Sequence, residues 1–262
     1  MHRYLIMSFA VLLLSAASQP EKKDKPVIYL IGDSTVKNGT GLGDGGLWGW
    51  GAYLHTMFDT SKVSIKNYAL GGRSSRTFIT QGLWDNVLAL LKPGDYVFIQ
   101  FGHNDSSPVN DDSRARGTLK GTGEETEEID NILTKQHETV HTYGWYLRKY
   151  VADAKARGAI PVICSLVPRN IWAYGKVVRA SADYGLWARE TAEATGAGFI
   201  DLNEIVAAKY EALGQQEVST KLFPTDHTHT NEAGAIINAA AVAEGIKQMK
   251  KCKLKRYLRT QL

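Results

Sequence analysis

The sequence predicts an α/β sandwich built on an open parallel sheet, and three observations lead to this fold class. Four apolar runs have the length and residue types of strands buried on both faces, a fifth run alternates, and helix-like stretches separate them. Strands that alternate with helices form βαβ units, in which helices cover a parallel sheet. With 262 residues, 44% of them hydrophobic and 22% charged, the chain is long enough for one such domain.

Each predicted element follows from its local pattern. The continuously apolar runs predict buried strands over 27–31, 96–101, 162–167 and 199–202. The run 63–68 alternates apolar and polar side chains, which is typical of an edge strand. Helices are predicted over 48–58, 83–91, 143–157 and 182–195, with an Ala-rich helix over 231–249. Gly158 and Gly196 follow two of these helices, where glycine commonly ends a helix.

The N-terminal residues differ from the predicted domain, which we place at 19–250. Residues 1–18 combine Arg3, an apolar run over 5–14 and the small residues 15–17, where a signal peptidase could cleave. This pattern is typical of a secretory signal peptide. This run is shorter than the ~20 apolar residues of a membrane span. The charged residues 21–25 follow it closely. We therefore expect no membrane span and a protein that is secreted or periplasmic.

The net charge of +4 originates near the C-terminus, where seven Lys and Arg residues and no acid lie within 247–262. The remainder is mildly acidic, which argues against a nucleic-acid-binding surface across the fold. For the basic tail, 251–262, we expect a solvated helix end, with adhesion to an acidic polymer or membrane surface as the alternative. Only Cys164 and Cys252 are present, which excludes a disulfide framework.

A polar, glycine-containing stretch around 106–131 interrupts the pattern of strands and helices. It is strongly acidic between 124 and 130. An irregular insertion of this length in a compact domain is either a functional lid or a mobile loop.

Small or polar residues follow three different predicted strands. Ser34, Gly72 and Asn104 lie three or four residues beyond the strand ends, in the sequences GDST, NYALGGRS and GHND. Ligands bind outside the carboxyl ends of the strands in open α/β sheets, so these residues should converge. A fourth motif, from Asp226 to His229, precedes the Ala-rich helix. Each motif alone also fits an ordinary turn or helix cap.

Together the four motifs supply the groups that acyl transfer needs. Ser34 is the candidate nucleophile, His229 the base that takes its proton, and Asp226 the carboxylate that orients the imidazole. The backbone N–H groups of Ser34 and Gly72 and the side-chain amide of Asn104 are the candidate oxyanion donors.

In these four blocks the sequence resembles the SGNH or GDSL hydrolases, whose blocks carry Ser, Gly, Asn and His in this order. Thr35 stands where the family usually has Leu, which touches no catalytic group. The resemblance implies a flavodoxin-like sheet of five parallel strands with helices on both faces, ester hydrolysis, no cofactor and no metal. It places the catalytic groups and the oxyanion hole at the residues named above.

Within this family, the longer stretches 32–36, 71–78, 141–148 and 226–234 look like those of the rhamnogalacturonan acetylesterases. This subgroup removes acetyl groups from the acidic, branched part of pectin. The resemblance implies an acetylated pectic polysaccharide or oligosaccharide as the partner, and we expect a monomer. Export agrees with a substrate too large to enter a cell.

The residues that bind the substrate are not identified by the sequence. Candidates for galacturonate carboxylates are Arg73, Arg76, Arg169 and Arg179, because a planar guanidinium matches a carboxylate. Candidates for stacking on sugar rings are Trp48, Trp50, Trp145 and Trp172. Surface ion pairs and core packing are the ordinary alternatives for both groups.

Three other functions remain open at this point. His137, Glu138 and His141 spell the His-Glu-x-x-His motif of zinc peptidases, but Leu147 stands where the longer pattern needs a third His. A carbohydrate-binding protein that keeps the fold without the reaction is the second. The third is an esterase of the same family that acts on acetylated xylan, a lipid or a small acyl ester.

Overall fold

A five-stranded parallel sheet forms the centre of the structure, a computed structural model that describes residues 25–37 and 39–260. The predicted signal peptide, 1–18, lies outside the described residues. The strands are β1 (Val27–Gly32), β2 (Ser64–Asn67), β3 (Tyr96–Gln100), β4 (Thr126–Asp130), β5 (His137–His141), β6 (Ile160–Cys164), β7 (Trp172–Ala173), β8 (Lys176–Val177) and β9 (Gly198–Ile200). The helices are α1 (Ser75–Thr80), α2 (Leu83–Leu88), α3 (Tyr143–Ala156), α4 (Tyr184–Thr195), α5 (Leu202–Leu213), α6 (Gln215–Lys221) and α7 (Glu232–Gln248).

The central sheet has the strand order β2-β1-β3-β6-β9, and all its pairings are parallel. In the register of β1, Ile28 pairs with Ile65 of β2 on one side and with Tyr96 of β3 on the other. The predicted fold class is confirmed, and β2 lies at one edge as its alternation indicates.

Two apolar cores cover the two faces of the sheet. Ile28 and Leu30 of β1 face the first core, which packs against α5 and α7. Tyr29 and Ile31 face the second core, which packs against α1, α2, α3 and α4. The inner strands β1, β3 and β6 are buried on both faces, which explains why their sequences are continuously apolar.

The predicted helix over 48–58 is wrong, because this segment forms short 3₁₀ turns instead. The Trp50 and Gly51 N–H groups donate to the carbonyls of Thr35 and Val36, each at 3.0 Å, rather than to a helix. Gly49 permits this approach, because a Cβ there would lie 2.2 Å from the Val36 carbonyl carbon. The segment therefore buttresses the loop that follows β1.

Two predicted strands are displaced. The predicted strand 162–167 is observed as β6, which ends at Cys164, and the predicted strand 199–202 as β9, which ends at Ile200. Asp201 is already the N-cap of α5, and its carboxylate accepts the Glu204 N–H. Capping thus ends the strand earlier than hydrophobicity indicates.

The polar insertion continues into a β-hairpin that the sequence analysis missed. Strands β4 and β5 pair antiparallel, and Ile129 and Val140 are their buried residues. The remaining positions of the hairpin are exposed or half-buried, so each of its strands contributes one buried apolar side chain.

The basic tail packs against the domain instead of extending as a solvated helix end. Leu254 is fully buried in the first core, and Leu258 pairs with Phe58 in an isolated antiparallel bridge. The Arg259 N–H donates to the Met57 carbonyl at 3.0 Å.

Both cysteines are free, as expected. Among the helices of the described residues, none has the length and apolar character needed to cross a membrane.

Candidate active site

The predicted nucleophile, Ser34, lies in a tight turn directly after β1. The Val36 and Lys37 N–H groups donate to the Asp33 carbonyl at 3.1 and 3.0 Å and close the turn. The Asp33 carboxylate accepts the Thr35 N–H at 2.8 Å and the Thr35 hydroxyl at 2.7 Å. These bonds hold the backbone on both sides of Ser34, whose side chain remains 9% exposed at the edge of the sheet.

Ser34, His229 and Asp226 form one hydrogen-bonded chain. The Ser34 Oγ lies 2.8 Å from the His229 Nε2, and the His229 Nδ1 lies 2.7 Å from the Asp226 Oδ2. Both distances are those of strong hydrogen bonds. A hydroxyl, an imidazole and a carboxylate in this order can pass a proton from the hydroxyl to the ring and stabilise the imidazolium that forms.

The Asp226 carboxylate is held by its own loop. Its Oδ1 accepts the N–H groups of Thr228 at 2.6 Å and His229 at 2.7 Å. Partial burial raises the pKa of Asp226, but the hydrogen bonds from the His229 ring and from these two backbone groups outweigh it, so the pKa lies below its ordinary value. The carboxylate therefore stays ionised beside the imidazole.

The predicted oxyanion donors lie on loops that contact one another beside Ser34. A Cβ on Gly71 would lie 3.6 Å from the Ser34 Cβ, which places the loop of Gly71 and Gly72 against the nucleophile. The Asn104 Nδ2 donates to the Arg73 carbonyl at 2.8 Å, so one amide N–H is fixed and the second is available. Within the described chain, the N–H groups of Ser34 and Gly72 donate to no other protein group.

Arg116, for which the sequence indicated no role, binds the loop of Gly71 and Gly72. Its Nη1 donates to the Gly72 carbonyl at 2.9 Å, and its Nε donates to the Ser107 Oγ at 3.1 Å. Gly72 has a φ of 79°, in the left-handed region that favours glycine. The guanidinium fixes the peptide that follows Gly72, and the left-handed conformation sets the direction of the Gly72 N–H relative to it.

A comparison with known families identifies the protein class. The model of the GDSL-like lipase/acylhydrolase family matches residues 30–236, which include all the predicted site residues. The chain belongs to this family. The predicted resemblance is confirmed, and this GDSL-family protein is a carboxylic ester hydrolase.

Curated relatives of this esterase include acetylesterases. Over 219 residues, which are 84% of this chain and 84% of the relative, it is 34% identical to the rhamnogalacturonan acetylesterase of Emericella nidulans. It is 32% identical to the probable rhamnogalacturonan acetylesterase YesY of Bacillus subtilis, over 85% of this chain and 93% of the relative.

Solved structures share the fold. The structure of YxiM from Bacillus subtilis superimposes with a TM-score of 0.69 at 26% identity and covers 86% of this chain, which spans 57% of that longer chain. The acetylxylan esterase Axe2 of Geobacillus stearothermophilus has a TM-score of 0.53 at 20% identity, over 84% of this chain and 93% of its own.

A buried carboxyl group links the loop of Asn104 to the start of α1. Asp105 accepts the Ser75 hydroxyl, the Ser75 N–H at 3.0 Å and the Gly102 N–H at 2.9 Å. Burial raises the pKa of Asp105 to about 7. The residue follows Asn104 directly, but nothing in its sequence context indicated that it would bond to the start of α1.

The neighbouring imidazole of His103 is uncharged and lies close to the predicted base. Its side chain is buried, and burial lowers its pKa to about 4 despite the opposing charge of Asp33. His103 is also close enough to Arg169 and His229 for their charges to lower its pKa further.

Two of the four candidate arginines form ion pairs within the fold, the alternative that their sequence left open. Arg76 is fully buried, and its Nε and Nη2 donate to the two carboxylate oxygens of Glu138, each at 2.6 Å. Arg179 is paired with Glu204 and Glu211.

The other two candidate arginines lie against the site loops. Arg73 donates to the Gly71 carbonyl at 2.9 Å and to Gln81. Arg169 donates to His227 and Thr228, beside the predicted base.

The four candidate tryptophans mostly contact other parts of the protein. Trp50 is buried, and its Nε1 donates to Gln100 at 2.7 Å, so it is a core residue. Trp145 stacks on the His141 ring, with centroids 3.7 Å apart. Trp172 donates to Asn170, and Trp48 packs against Tyr53.

The zinc-peptidase motif does not form a metal site. His137, Glu138 and His141 lie on strand β5, so the helical turn that brings the two His rings of this motif together is absent. Glu138 is engaged by Arg76, and among the described residues no group of three potential ligands converges.

Proposed function

We propose that this esterase is a secreted, metal-independent acetylesterase that removes O-acetyl groups from rhamnogalacturonan, with residues 19–250 as a single catalytic domain that acts as a monomer. The observation that carries the proposal is the hydrogen-bonded chain from the Ser34 Oγ through His229 to Asp226, at 2.8 and 2.7 Å. The choice of substrate is supported by the relatives named rhamnogalacturonan acetylesterase.

The reaction proceeds through an acyl-enzyme. The Ser34 Oγ attacks the acetyl carbonyl carbon while the His229 Nε2 takes its proton. The negative charge that develops on the carbonyl oxygen is stabilised by the N–H groups of Ser34 and Gly72 and by the Asn104 amide. Collapse of this intermediate breaks the bond to the sugar oxygen, which leaves with the proton held by His229.

Deacylation repeats these steps with water. A water oxygen attacks the acetyl-Ser34 carbonyl while His229, again neutral, takes a proton from this water. The same donors stabilise the second oxyanion. Acetate leaves when the bond to the Ser34 Oγ breaks and His229 returns the proton to that oxygen. Asp226 orients the imidazole throughout and stabilises its cation.

The decisive experiment compares acetate release from acetylated rhamnogalacturonan, acetylated xylan and a short-chain aryl acetate. We expect kcat/KM on rhamnogalacturonan to be at least about tenfold higher than on xylan, a difference of about 1.4 kcal/mol in transition-state binding. A preference for xylan would replace the proposed substrate, and release from aryl acetate alone would restrict the function to small acyl esters.

A second measurement tests the nucleophile and excludes a pure binding protein. Ser34→Ala should abolish acetate release while circular dichroism and the Tm show an intact fold. A fluorophosphonate should label the wild type and leave Ser34→Ala unmodified. Absence of labelling in the wild type would favour a carbohydrate-binding protein that lacks the reaction.

A further inference from the structure

A small pocket opens beside the loop that carries Asn104. Its volume is about 170 Å³, below the ~300–1,000 Å³ of sites for drug-sized ligands, so it suits a single ring or acid group. One side is formed by Gly102 and His103, which immediately precede Asn104. Apolar groups and two arginines complete the lining, whose other principal residues are Leu166, Arg169, Ile171, Val178, Arg179 and Tyr184.

Arg169 joins this pocket to the predicted catalytic loop. Its Nη1 donates to the His227 Nε2 and the Thr228 Oγ1, both at 3.2 Å, and its Nη2 makes a longer contact of 3.4 Å with the His103 carbonyl. The guanidinium is half-buried. Its position is thus set from both the His229 loop and the Asn104 loop.

Arg169 differs from Arg76 and Arg179 in how its Nε and Nη2 edge is used. On this edge Arg169 makes one long contact, from Nη2 to the His103 carbonyl at 3.4 Å. Arg76 binds Glu138, and Arg179 binds Glu204, through the pair formed by Nε and Nη2. This edge presents two parallel N–H groups, the geometry that matches both oxygens of a carboxylate. Among the described residues, no carboxylate pairs with Arg169, and its Nε donates to no protein group.

The surroundings of Arg169 favour an anion. The one acid that lines the pocket, Asp183, is exposed and forms no ion pair with Arg169. The buried ring of His103 is neutral near pH 7 because its pKa is about 4. A guanidinium that is half-buried and not neutralised keeps an attractive potential that salt screens less than at an open surface.

We propose that Arg169 binds the carboxylate of a uronic acid residue of the bound polysaccharide, through its Nε and Nη2 edge, and so determines the preference for acidic polysaccharide. The apolar side chains of Leu166, Ile171 and Val178 line the same pocket and contact the C–H faces of the sugar. This inference rests on the proposed function and assigns the substrate recognition that the sequence leaves unidentified.

The test compares kcat/KM on acetylated rhamnogalacturonan oligosaccharides with kcat/KM on an aryl acetate, which has no carboxylate. Because Arg169 also contacts the loop of His229, Arg169→Gln can change both rates, and their ratio isolates recognition of the acid. We expect the ratio to fall about tenfold in Arg169→Gln, as for the loss of one charge-assisted bidentate pair. In the matched control, Arg189→Gln, the ratio should stay within about twofold, because Arg189 is paired with Asp201 and does not line the pocket.

A second test leaves the protein unchanged and alters the substrate. Reduction of the uronic acid carboxylates to alcohols should lower kcat/KM of the wild type about tenfold and should have no effect on Arg169→Gln. Binding of the deacetylated, unreduced oligosaccharide to Ser34→Ala, measured by calorimetry, should weaken about tenfold when Arg169→Gln is added.

The outcomes separate the two proposals. If the wild type releases no acetate from rhamnogalacturonan, the proposed function fails whatever the variants do. If the wild type is active but carboxyl reduction leaves its kcat/KM unchanged, or Arg169→Gln retains the wild-type ratio, the assignment of Arg169 is overturned and the proposed function stands.

Discussion

The His229 Nδ1 lies 2.7 Å from the Asp226 Oδ2, and the two residues belong to one loop in which the carboxylate also accepts the His229 N–H. This arrangement holds the proton of the ring on Nδ1 and leaves Nε2 as the acceptor that faces Ser34. The orientation of the base is therefore a local property of four consecutive residues.

Asp226→Asn should lower kcat on an aryl acetate by about 10⁴-fold with little change in KM, because the amide N–H favours the tautomer that cannot accept the Ser34 proton. Steady-state kinetics measure this. Asp59→Asn is the control, since Asp59 is also a carboxylate held ionised in a turn, with a pKa of about 2, but it pairs with Lys62 away from the site. Retention of more than a tenth of wild-type kcat in Asp226→Asn would contradict the role of Asp226.

Asn104→Ala should reduce kcat by about 10²–10³-fold, the usual loss for one oxyanion donor. The variant should remain folded, because the side chain contributes one bond, to the Arg73 carbonyl. Asn110→Ala is the control, as Asn110 also donates its amide to a backbone carbonyl, that of Asp130, on an exposed loop. Equal kcat in the two variants would remove Asn104 from the oxyanion hole.

Glu138→Gln should destabilise the fold by about 3 kcal/mol, because it leaves the buried Arg76 guanidinium without its carboxylate. Urea denaturation measures this, and kcat of the folded fraction should be unchanged. Glu128→Gln, which removes an exposed partner of His137 on the same hairpin, should cost less than about 1 kcal/mol. If Glu138→Gln abolished kcat at wild-type stability and EDTA inhibited the wild type, the zinc-peptidase reading would be restored.

Asp105 should make stability depend on pH. Burial raises its pKa from an ordinary value of 3.8 to about 7, so between these values the folded protein holds a proton that the unfolded chain has released. The stabilisation is complete below about pH 4 and is lost as pH rises towards 7, with a slope of up to about 1.4 kcal/mol per pH unit.

Replacement of the carboxyl group tests this linkage. We expect the free energy of unfolding of the wild type, relative to that of Asp105→Asn, to fall as pH rises. Urea denaturation at several pH values from about 4 to 7 measures this difference. A difference that is constant across this range would show that Asp105 does not hold the proton.

The sheet could be predicted from the sequence because parallel strands buried on both faces must be apolar throughout. The same reasoning failed where hydrogen bonds between separate segments override the hydrophobic pattern of one segment. The segment 48–58 has helix-like hydrophobicity, but its N–H groups bind the Thr35 and Val36 carbonyls, which are distant in the chain. The hairpin of β4 and β5 was missed because Ile129 and Val140 are its buried residues, too weak a signal for a strand.

The candidate site was predictable to the extent that chain order and strand ends determine it. Ser34, Gly72 and Asn104 could be placed at one edge of the sheet by counting from the strands. The partners of the arginine side chains could not be predicted in this way, because Arg76 and Glu138 are 62 residues apart and neither local sequence indicates the other. For the same reason the contacts of Asp105 and Arg116 became visible only in three dimensions.

The hydroxyl and the imidazole that it contacts are separated by 195 residues of chain. The base comes from the loop before α7, whose residues complete the first core. A nascent or truncated polypeptide that ends before His229 therefore holds Ser34 but lacks the predicted proton acceptor. We therefore expect turnover only after His229 has been synthesised and α7 has packed into the first core, so that activity reports on the folding of both ends of the domain.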